Sequence, residues 1–399
     1  MDYFEDLLKK PTIFIDESKL EINYIPPKLP HREKELLLLS RLFLALFTNP
    51  NSISRRILIT GKTGIGKSAT VKLFGEMIEK VGQKRNVHIK YIHINCRKER
   101  TSYKVLINIV RLIDNNFPKR GFSPQDLLDF LIENLNTQNL HLLIVLDELS
   151  YLIKKEENLI YSLTRINDDS VNKQQKLSII GIVRDISCLN NLDYSTLSTL
   201  QRNIIKFSQY TKEQIFDILK YRADLSLNKN IISDNLIEMI TTIVFKNGDI
   251  RQGLSILWRA AKIAESQNLK YINAECIRLG NQDLVPISTL DTLEYLSSQK
   301  LILLFAISKC LRDRDKKEIS FSEVLKFYKI VCENTGLAQR SYSQLWNYIQ
   351  ELNKENLISI NVKSEKIRGR KAFVEIPNIV LSKLEKLLIK ILNSKGLKI

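Results

Sequence analysis

The residues best placed to do chemistry sit in LITGKTGIGKSAT, Leu58 to Thr70. Gly61, Gly66, Lys67 and Ser68 fill the spacing G-x-x-x-x-G-K-[ST] completely. Glycines at those places let the backbone N–H groups from Thr63, Gly64, Ile65 and Gly66 through Lys67, Ser68 and Ala69 turn inward around β- and γ-phosphates. A helix beginning near Lys67 adds its positive end, and the lysine adds a full charge. The expected ligand is ATP or ADP, with Ser68 carrying Mg2+.

A phosphate loop needs a second half, an acid at the tip of a neighbouring strand. LLIVLDE ends an apolar run on Asp147 and Glu148. Asp147 can hold magnesium through water and Glu148 can polarise an attacking water. Alone, such a pair is more often a solvated turn; the loop upstream favours the catalytic reading.

Bringing these groups together requires a sheet. Strands are expected at Arg56–Thr60, in VHIKYIHINC, in HLLIVLDE, in KLSIIGIV and in RNIIKFSQY, with helices in SATVKLFGEMIEKVG, at Ser102–Ile113 and at Pro124–Leu135. That alternation predicts a parallel sheet covered on both faces. Upstream, REKELLLLSRLFLALF (Arg32 to Phe47) is apolar around most of its circumference and predicts a helix buried on more than one side. Pro11, Pro26, Pro27 and Pro30 predict an extended arm over residues 1–30. After Tyr210 the pattern becomes all-helical, and Gly280 and Pro286 mark a second boundary. Beyond it, helices are expected at Leu290–Leu311, Phe321–Cys332 and in SYSQLWNYIQELNKENL. Two strands, ISINVKS and KAFVEIP, follow, and the closing VLSKLEKLLIKILNSKGLKI is amphipathic, for packing on this last domain in preference to a partner or membrane.

A chain of 399 residues, 44% hydrophobic, is longer than one ordinary domain. Its net charge of +17 attracts polyanions, nucleic acid foremost. No apolar run nears the roughly 20 residues of a spanning helix, and MDYFEDLLKKP is acidic where a secretory signal is basic. A soluble cytoplasmic protein is expected, with no membrane partner. Cys96, Cys188, Cys276, Cys310 and Cys332 are scattered and odd in number, which argues against disulfides and zinc.

From about Tyr24 onward the chain resembles the archaeal origin-recognition replication initiators, AAA+ ATPases related to the largest eukaryotic origin-recognition subunit. The likeness rests on YIPPKLPHREKE, GKTGIGKSATVKLF, INCRKERTSYKVL, VLDELSYL with LIYSLTRIN, NGDIRQGLSIL, and RSYSQLWNYIQEL with NLISI and RGR, in that order. The resemblance implies an α/β fold: an AAA+ P-loop parallel-sheet domain (31–209), a helical lid (210–284) and a C-terminal winged-helix domain (285–399). It implies that Pro30, His31 and Arg32 lie near the adenine, that Tyr210 joins the nucleotide site, and that Arg251 is the sensor-two arginine reaching the terminal phosphates. It also implies double-stranded origin DNA, other initiator subunits on that DNA and the replicative helicase as partners.

Two positions depart from the family pattern. Where members read GISND and LDxRVxSSL, this chain reads GIVRDIS and LDYSTLSTL. Arg184 thus replaces the sensor-one asparagine and Ser195 the arginine finger. An arginine cannot position water as an amide does, and a missing finger costs about 10³–10⁵ in rate where one is used, so slow hydrolysis is expected. Arg202 as the finger, or Asn190 or Asn191 as the sensor, remains the alternative.

Residues from Asp291 onward hold about 20 Lys or Arg against about 12 Asp or Glu. On SYSQLWNYIQEL, with Leu345, Tyr348, Ile349 and Leu352 on one face, Ser343, Gln344 and Asn347 can turn outward to base edges, and Arg340 and Ser341 suit phosphate. The tip KSEKIRGRKAF offers Lys366, Arg368, Arg370 and Lys371, with Gly369 allowing close approach. A second DNA candidate is NNFPKRGFSPQ, with Lys119 and Arg120 between apolar Phe117 and Phe122; a solvated loop is the other reading. A replication initiator is expected; the rivals are a helicase-loading ATPase and a non-hydrolysing regulator that occupies origins.

Overall fold

The apolar runs pair into one parallel sheet in the computed structural model, which describes residues 12–50, 52–153, 156–166, 175–192, 194–200, 203–282, 287–314, 316–355, 357–364, 370–377 and 380–397. The strands are β1 (Arg56–Thr60), β2 (Ile89–Asn95), β3 (His141–Asp147), β4 (Leu177–Val183) and β5 (Ile204–Lys206), in the order β2-β3-β4-β1-β5. Every residue of β3 and β4 is buried. Burying one Val, Leu or Ile side chain contributes about 1.5–3 kcal/mol, so these two strands are the least free to shift, and they carry the tips where Asp147 and Arg184 emerge. Because all strands are parallel, the loops after β1, β3 and β4 open on one edge, the usual ligand edge of such sheets. β4 lies between β1 and β3, which sets Arg184 between the phosphate loop and the acids.

The longer helices around the sheet are α1 (Glu33–Phe43), α2 (Lys67–Arg85), α3 (Ser102–Ile113) and α4 (Pro124–Thr137). Local chemistry fixes their starts: Thr101 caps α3 through the Lys104 amide, and Ser123 with Asp126 forms a reciprocal capping box on α4 with proline at its first turn. The expectation for α1 needs correction. The helix breaks at Leu44, only Leu39 and Phe43 of α1 are buried, and Leu37, Leu38 and Leu44 are exposed. One packing partner, chiefly α2 through Phe43 on Phe74, cannot cover four successive leucines.

At the opposite edge of the sheet His141 is buried with Nε2 2.9 Å from the Ser178 hydroxyl. Burial, partly offset by the Gln175 backbone, pulls its pKa down to about 4. Below its ordinary pKa the unfolded chain binds a proton that the fold refuses, so stability should fall as pH drops from 6.5 toward 4. Thermal melts across that range should show a shallower loss for His141→Gln than for the parent.

Beyond the sheet four helices follow in succession: α5 (Lys212–Ser226), α6 (Asp234–Asn247), α7 (Ile250–Ser266) and α8 (Ala274–Gln282). Residues 12–21 are docked on them. Phe14 bridges Leu227, the Ile15 amide reaches the Ser226 carbonyl, the Trp258 indole donates to Glu17, and Arg222 donates to the Lys19 and Glu21 carbonyls. The prolines prevent long helices but not a short turn, Glu17–Leu20, capped by Asp16.

The chain divides into two compact units, Met1–Gly280 and Asn281–Ile399. In the second, the helix expected at Leu290–Leu311 is two, Ile287–Tyr295 and α9 (Ser298–Asp313), with Ser297 at the start of the latter. After them come β6 (Ile319–Ser320), α10 (Phe321–Thr335), α11 (Tyr342–Lys354), β7 (Ser359–Ser364), β8 (Arg370–Glu375) and α12 (Leu381–Ser394). The strands form an antiparallel sheet in the order β6-β8-β7. α12 buries Leu384, Leu388 and Leu392 completely in this unit's core. No described helix is long and apolar enough to cross a membrane.

Candidate nucleotide site and nucleic-acid interface

The loop between β1 and α2 holds itself in a cradle. Gly64 and Gly66 have φ of 76° and 89°, where a side chain is strained. A Cβ on Gly66 would lie 2.7 Å from the Tyr210 hydroxyl, and one on Gly64 would overlap the Asp249 carboxylate. The Ile250 amide donates to the Gly64 carbonyl at 3.2 Å. The start of α7 therefore rests on the phosphate loop, and a residue absent from the sequence reading, Asp249, makes the contact. Gly64→Ala adds backbone strain of about 1–3 kcal/mol and a clash, so nucleotide affinity should drop about tenfold or more in an equilibrium titration.

Lys67 is buried, and its ammonium donates to the Gly61 and Lys62 carbonyls at 2.5 and 2.6 Å. Burial lowers its pKa to about 8, against the pull of Glu148 and Asp147. Asp147 is also buried. Desolvation pushes its carboxyl up, but the His93 ring, the Ser68 hydroxyl and the Glu148 amide together hold it below the usual range. Ser68 at the start of α2 and Asp147 at the tip of β3 are the two groups expected to hold magnesium, and the Ser68 hydroxyl contributes to keeping the Asp147 carboxyl ionised.

Behind Asp147 stands a pair that the sequence reading passed over. His93 Nε2 is 3.1 Å from Asp147 Oδ2, and the Tyr91 hydroxyl is 2.7 Å from His93 Nδ1. An ionised Asp147 accepts from Nε2–H, so the neutral ring accepts from Tyr91 at Nδ1. The available signal was YIHIN, whose alternation puts Tyr91, His93 and Asn95 on one face beside β3.

The other expected nucleotide residues are placed as follows. Arg32 is buried, donating from Nε and Nη2 to the Ile65 carbonyl and from Nη2 to the Ser208 carbonyl, pairing with Glu35, and stacking 4.0 Å over Tyr210. It fastens the phosphate loop to the strand-to-lid connection. His31, at φ 64°, meets Asp217 of α5 at 2.8 Å, and Pro30 precedes it, half-buried. Arg251 pairs with Asp249, Nη2 to Oδ2 at 2.8 Å. Glu148 is left-handed at φ 56° and faces Arg184, with Nε 3.2 Å from Oε2 and Nη2 3.3 Å from Oε1. Thr63 and Ala69 are half-buried along the loop. Arg202 lies outside the described residues, as do the side chains of Ser195, Asn190 and Asn191.

In the second unit, Ser341 caps α11 through the Gln344 amide, while Leu345, Ile349 and Leu352 are buried. Arg340, Ser341, Ser343, Gln344 and Asn347 are all exposed. The α10 and α11 helices border a cleft of about 450 Å³ lined by Lys326, Lys329, Arg340 and Tyr342 among others. Lys366, Arg368 and Gly369 lie outside the described residues; Arg370 pairs with Ser364 at the foot of the hairpin. In the first unit Lys119 and Arg120 are exposed, but the apolar surface expected beside them is not. Phe117 is buried, with ring centroids 4.7 Å from Phe122 and 4.4 Å from Phe130. Gathering three rings removes more apolar surface from water than presenting two to a ligand.

These features define a AAA+ P-loop ATPase fold with a helical lid and a winged helix. Models of an AAA domain match residues 54–185, of the Cdc6 AAA+ ATPase-type lid domain residues 216–282, and of the CDC6 C-terminal winged helix domain residues 291–378. The chain is 30% identical over 396 residues to ORC1-type DNA replication protein 2 of Sulfurisphaera tokodaii, covering 97% of this chain and 95% of that one. It is 31% identical over 385 residues to the same-named protein of Sulfolobus acidocaldarius, covering 94% and 92%. Among solved structures, the Aeropyrum pernix ORC1 protein in complex with DNA superposes with a TM-score of 0.82 at 25% identity, covering 96% of this chain and 98% of that one. The Aeropyrum pernix ORC2 protein, solved as ADPNP–ADP complexes, shares the fold with a TM-score of 0.65 at 21% identity, covering 96% and 99%. The chain belongs to the family of ORC1-type DNA replication proteins, the archaeal Orc1/Cdc6 initiators.

Proposed function

We propose that this chain is a nucleotide-bound initiator that recognises and remodels duplex DNA at replication origins, and that it hydrolyses ATP slowly. The observation that carries the reading is the buried Lys67 ammonium held inside the glycine loop by the Gly61 and Lys62 carbonyls, with the buried Asp147 carboxylate at the tip of β3, because a cation, a carboxylate and the Ser68 hydroxyl around a glycine cradle suit a magnesium–triphosphate. Lys67 and the amides from Thr63 to Ala69 would hold the phosphates; Ser68 and Asp147 would hold Mg2+. The ion neutralises phosphate charge when bound. His93 and Tyr91 keep Asp147 ionised and aimed, and Arg32 and Tyr210 brace the loop.

Residues 31–209, 210–284 and 285–399 serve as base, lid and winged-helix domains. Arg251 belongs to the lid helix that rests on the loop, so a change in the phosphates reaches α7 through a short path. On the winged helix, Ser343, Gln344 and Asn347 read bases, and Arg340, Ser341, Arg368, Gly369 and Arg370 hold the backbone, with Lys119 and Arg120 as a second contact. The DNA complex of the Aeropyrum pernix relative supports this assignment, as does the exposure of the α11 residues. Other initiator subunits on the origin and the replicative helicase are the further partners. The pairing of Glu148 with Arg184 favours one second reading, a regulator that occupies origins without hydrolysis. Denaturing freshly purified protein and identifying the released nucleotide tests the core of the proposal: stoichiometric ATP or ADP is expected, and its absence, together with no binding of added nucleotide, would remove it.

A further inference from the structure

We propose that Arg184 is a clamp on the catalytic glutamate, so that the slow hydrolysis proposed above comes from an active restraint on Glu148. This rests on the phosphate-loop reading, and it reverses the ordinary sign of the sensor position: removing the polar side chain there should speed the reaction.

Glu148 follows the last residue of β3, and Arg184 the last residue of the neighbouring β4. The Leu149 amide ties the two strand tips by donating to the Ile182 carbonyl at 2.9 Å, and within the β3 tip the Glu148 amide donates to Asp147 Oδ1 at 2.9 Å. Glu148 is left-handed there, an unfavourable state for a residue with a side chain, and its carboxylate forms an ion pair with the guanidinium: Nη2 donates to Oε1 at 3.3 Å, and Nε stands 3.2 Å from Oε2 without hydrogen-bonding it. A hydrogen bond between two ionised groups is stronger than one between neutral groups.

Hydrolysis asks something else of Glu148. As the water oxygen bonds to the γ-phosphorus and the bond to the bridging oxygen breaks, releasing ADP, a carboxylate oxygen must take the proton from that water. A positioned base contributes about 10²–10⁴. An oxygen already engaged by Arg184 is a weaker acceptor. The clamp side chains are 34% and 23% exposed, so the pair is only partly screened by solvent. An amide at this position would carry no charge to pair with the carboxylate.

The test is single-turnover hydrolysis with saturating Mg-ATP in the full-length protein, with bound nucleotide measured separately. Arg184→Ala and Arg184→Asn should each raise the rate about tenfold or more while nucleotide affinity stays within about threefold, the expected scale for freeing a base. Arg184→Lys, which keeps charge but loses the fork, should fall between parent and alanine. Adding Glu148→Gln to Arg184→Ala should return the rate to the parent level or below, a result that a merely structural role for Arg184 would not give. A rate unchanged or lowered in both Arg184→Ala and Arg184→Asn with nucleotide still bound overturns the clamp and leaves the nucleotide site intact. A parent that binds no nucleotide overturns both.

Discussion

Lys67→Ala should lose nucleotide almost entirely, by about 100-fold or more in affinity. The ammonium is the full positive charge that lies within the cradle, it is buried, and its pKa of about 8 shows what burial costs when carbonyls are its main partners. A triphosphate supplies the anionic partner that this geometry lacks. Hydrogen bonds to charged groups are worth about 1.5–3 kcal/mol, and removing one here also leaves the phosphates buried beside the acids Asp147 and Glu148 with less to balance them. Arginine at this position would not rescue binding, since its planar fork does not fit a space closed by the Gly61 and Lys62 carbonyls. Equilibrium titration of the variant with labelled ATP is the check, with melting temperature monitored to show that β3 and β4 are undisturbed.

The second large effect belongs to α11. Replacing Ser343, Gln344 and Asn347 together by alanine should erase sequence preference, because each good contact to a base edge discriminates by about 1–3 kcal/mol. The helix itself should survive: its buried face is Leu345, Ile349 and Leu352, and its cap is Ser341. Arg340→Ala, like Arg368→Ala at the wing tip, should weaken binding to every duplex alike and reduce the salt slope by about one. Titrating origin and scrambled duplexes at several salt concentrations separates the two classes. Triple and single variants that all bind like the parent would take the winged-helix assignment out of the account.

The sequence made some of this legible and hid the rest for identifiable reasons. β1 and the α3 helix were readable to the residue because local signals bound them: an apolar run after Arg55 and Arg56 for β1, and a Thr101 cap with apolar periodicity for α3. The loop from Gly61 to Ser68 was readable because its chemistry is contiguous. The Arg184 substitution was visible, but its partner was not. That Arg184 meets Glu148 depends on β4 inserting between β1 and β3, a pairing over long sequence separation that no local pattern reports. The same holds for Asp249 on Gly64 and for Arg32 on the Ile65 carbonyl. The α1 helix failed in the other direction. Leu36 to Leu39 advertise burial all round, but burial is decided by how many neighbours arrive, and the exposed Leu37 and Leu38 show that too few do. Phe117 and Phe122 likewise offered surface in the sequence and found each other in the fold.

Footprinting directly tests the union of a triphosphate cradle with a cationic reader of duplex DNA. Nucleotide-loaded protein laid across the replication origins of its own chromosome should protect a few discrete sites, at concentrations where unrelated duplex of equal length stays open. Protection that is no denser at origins than elsewhere, with or without nucleotide, would contradict it.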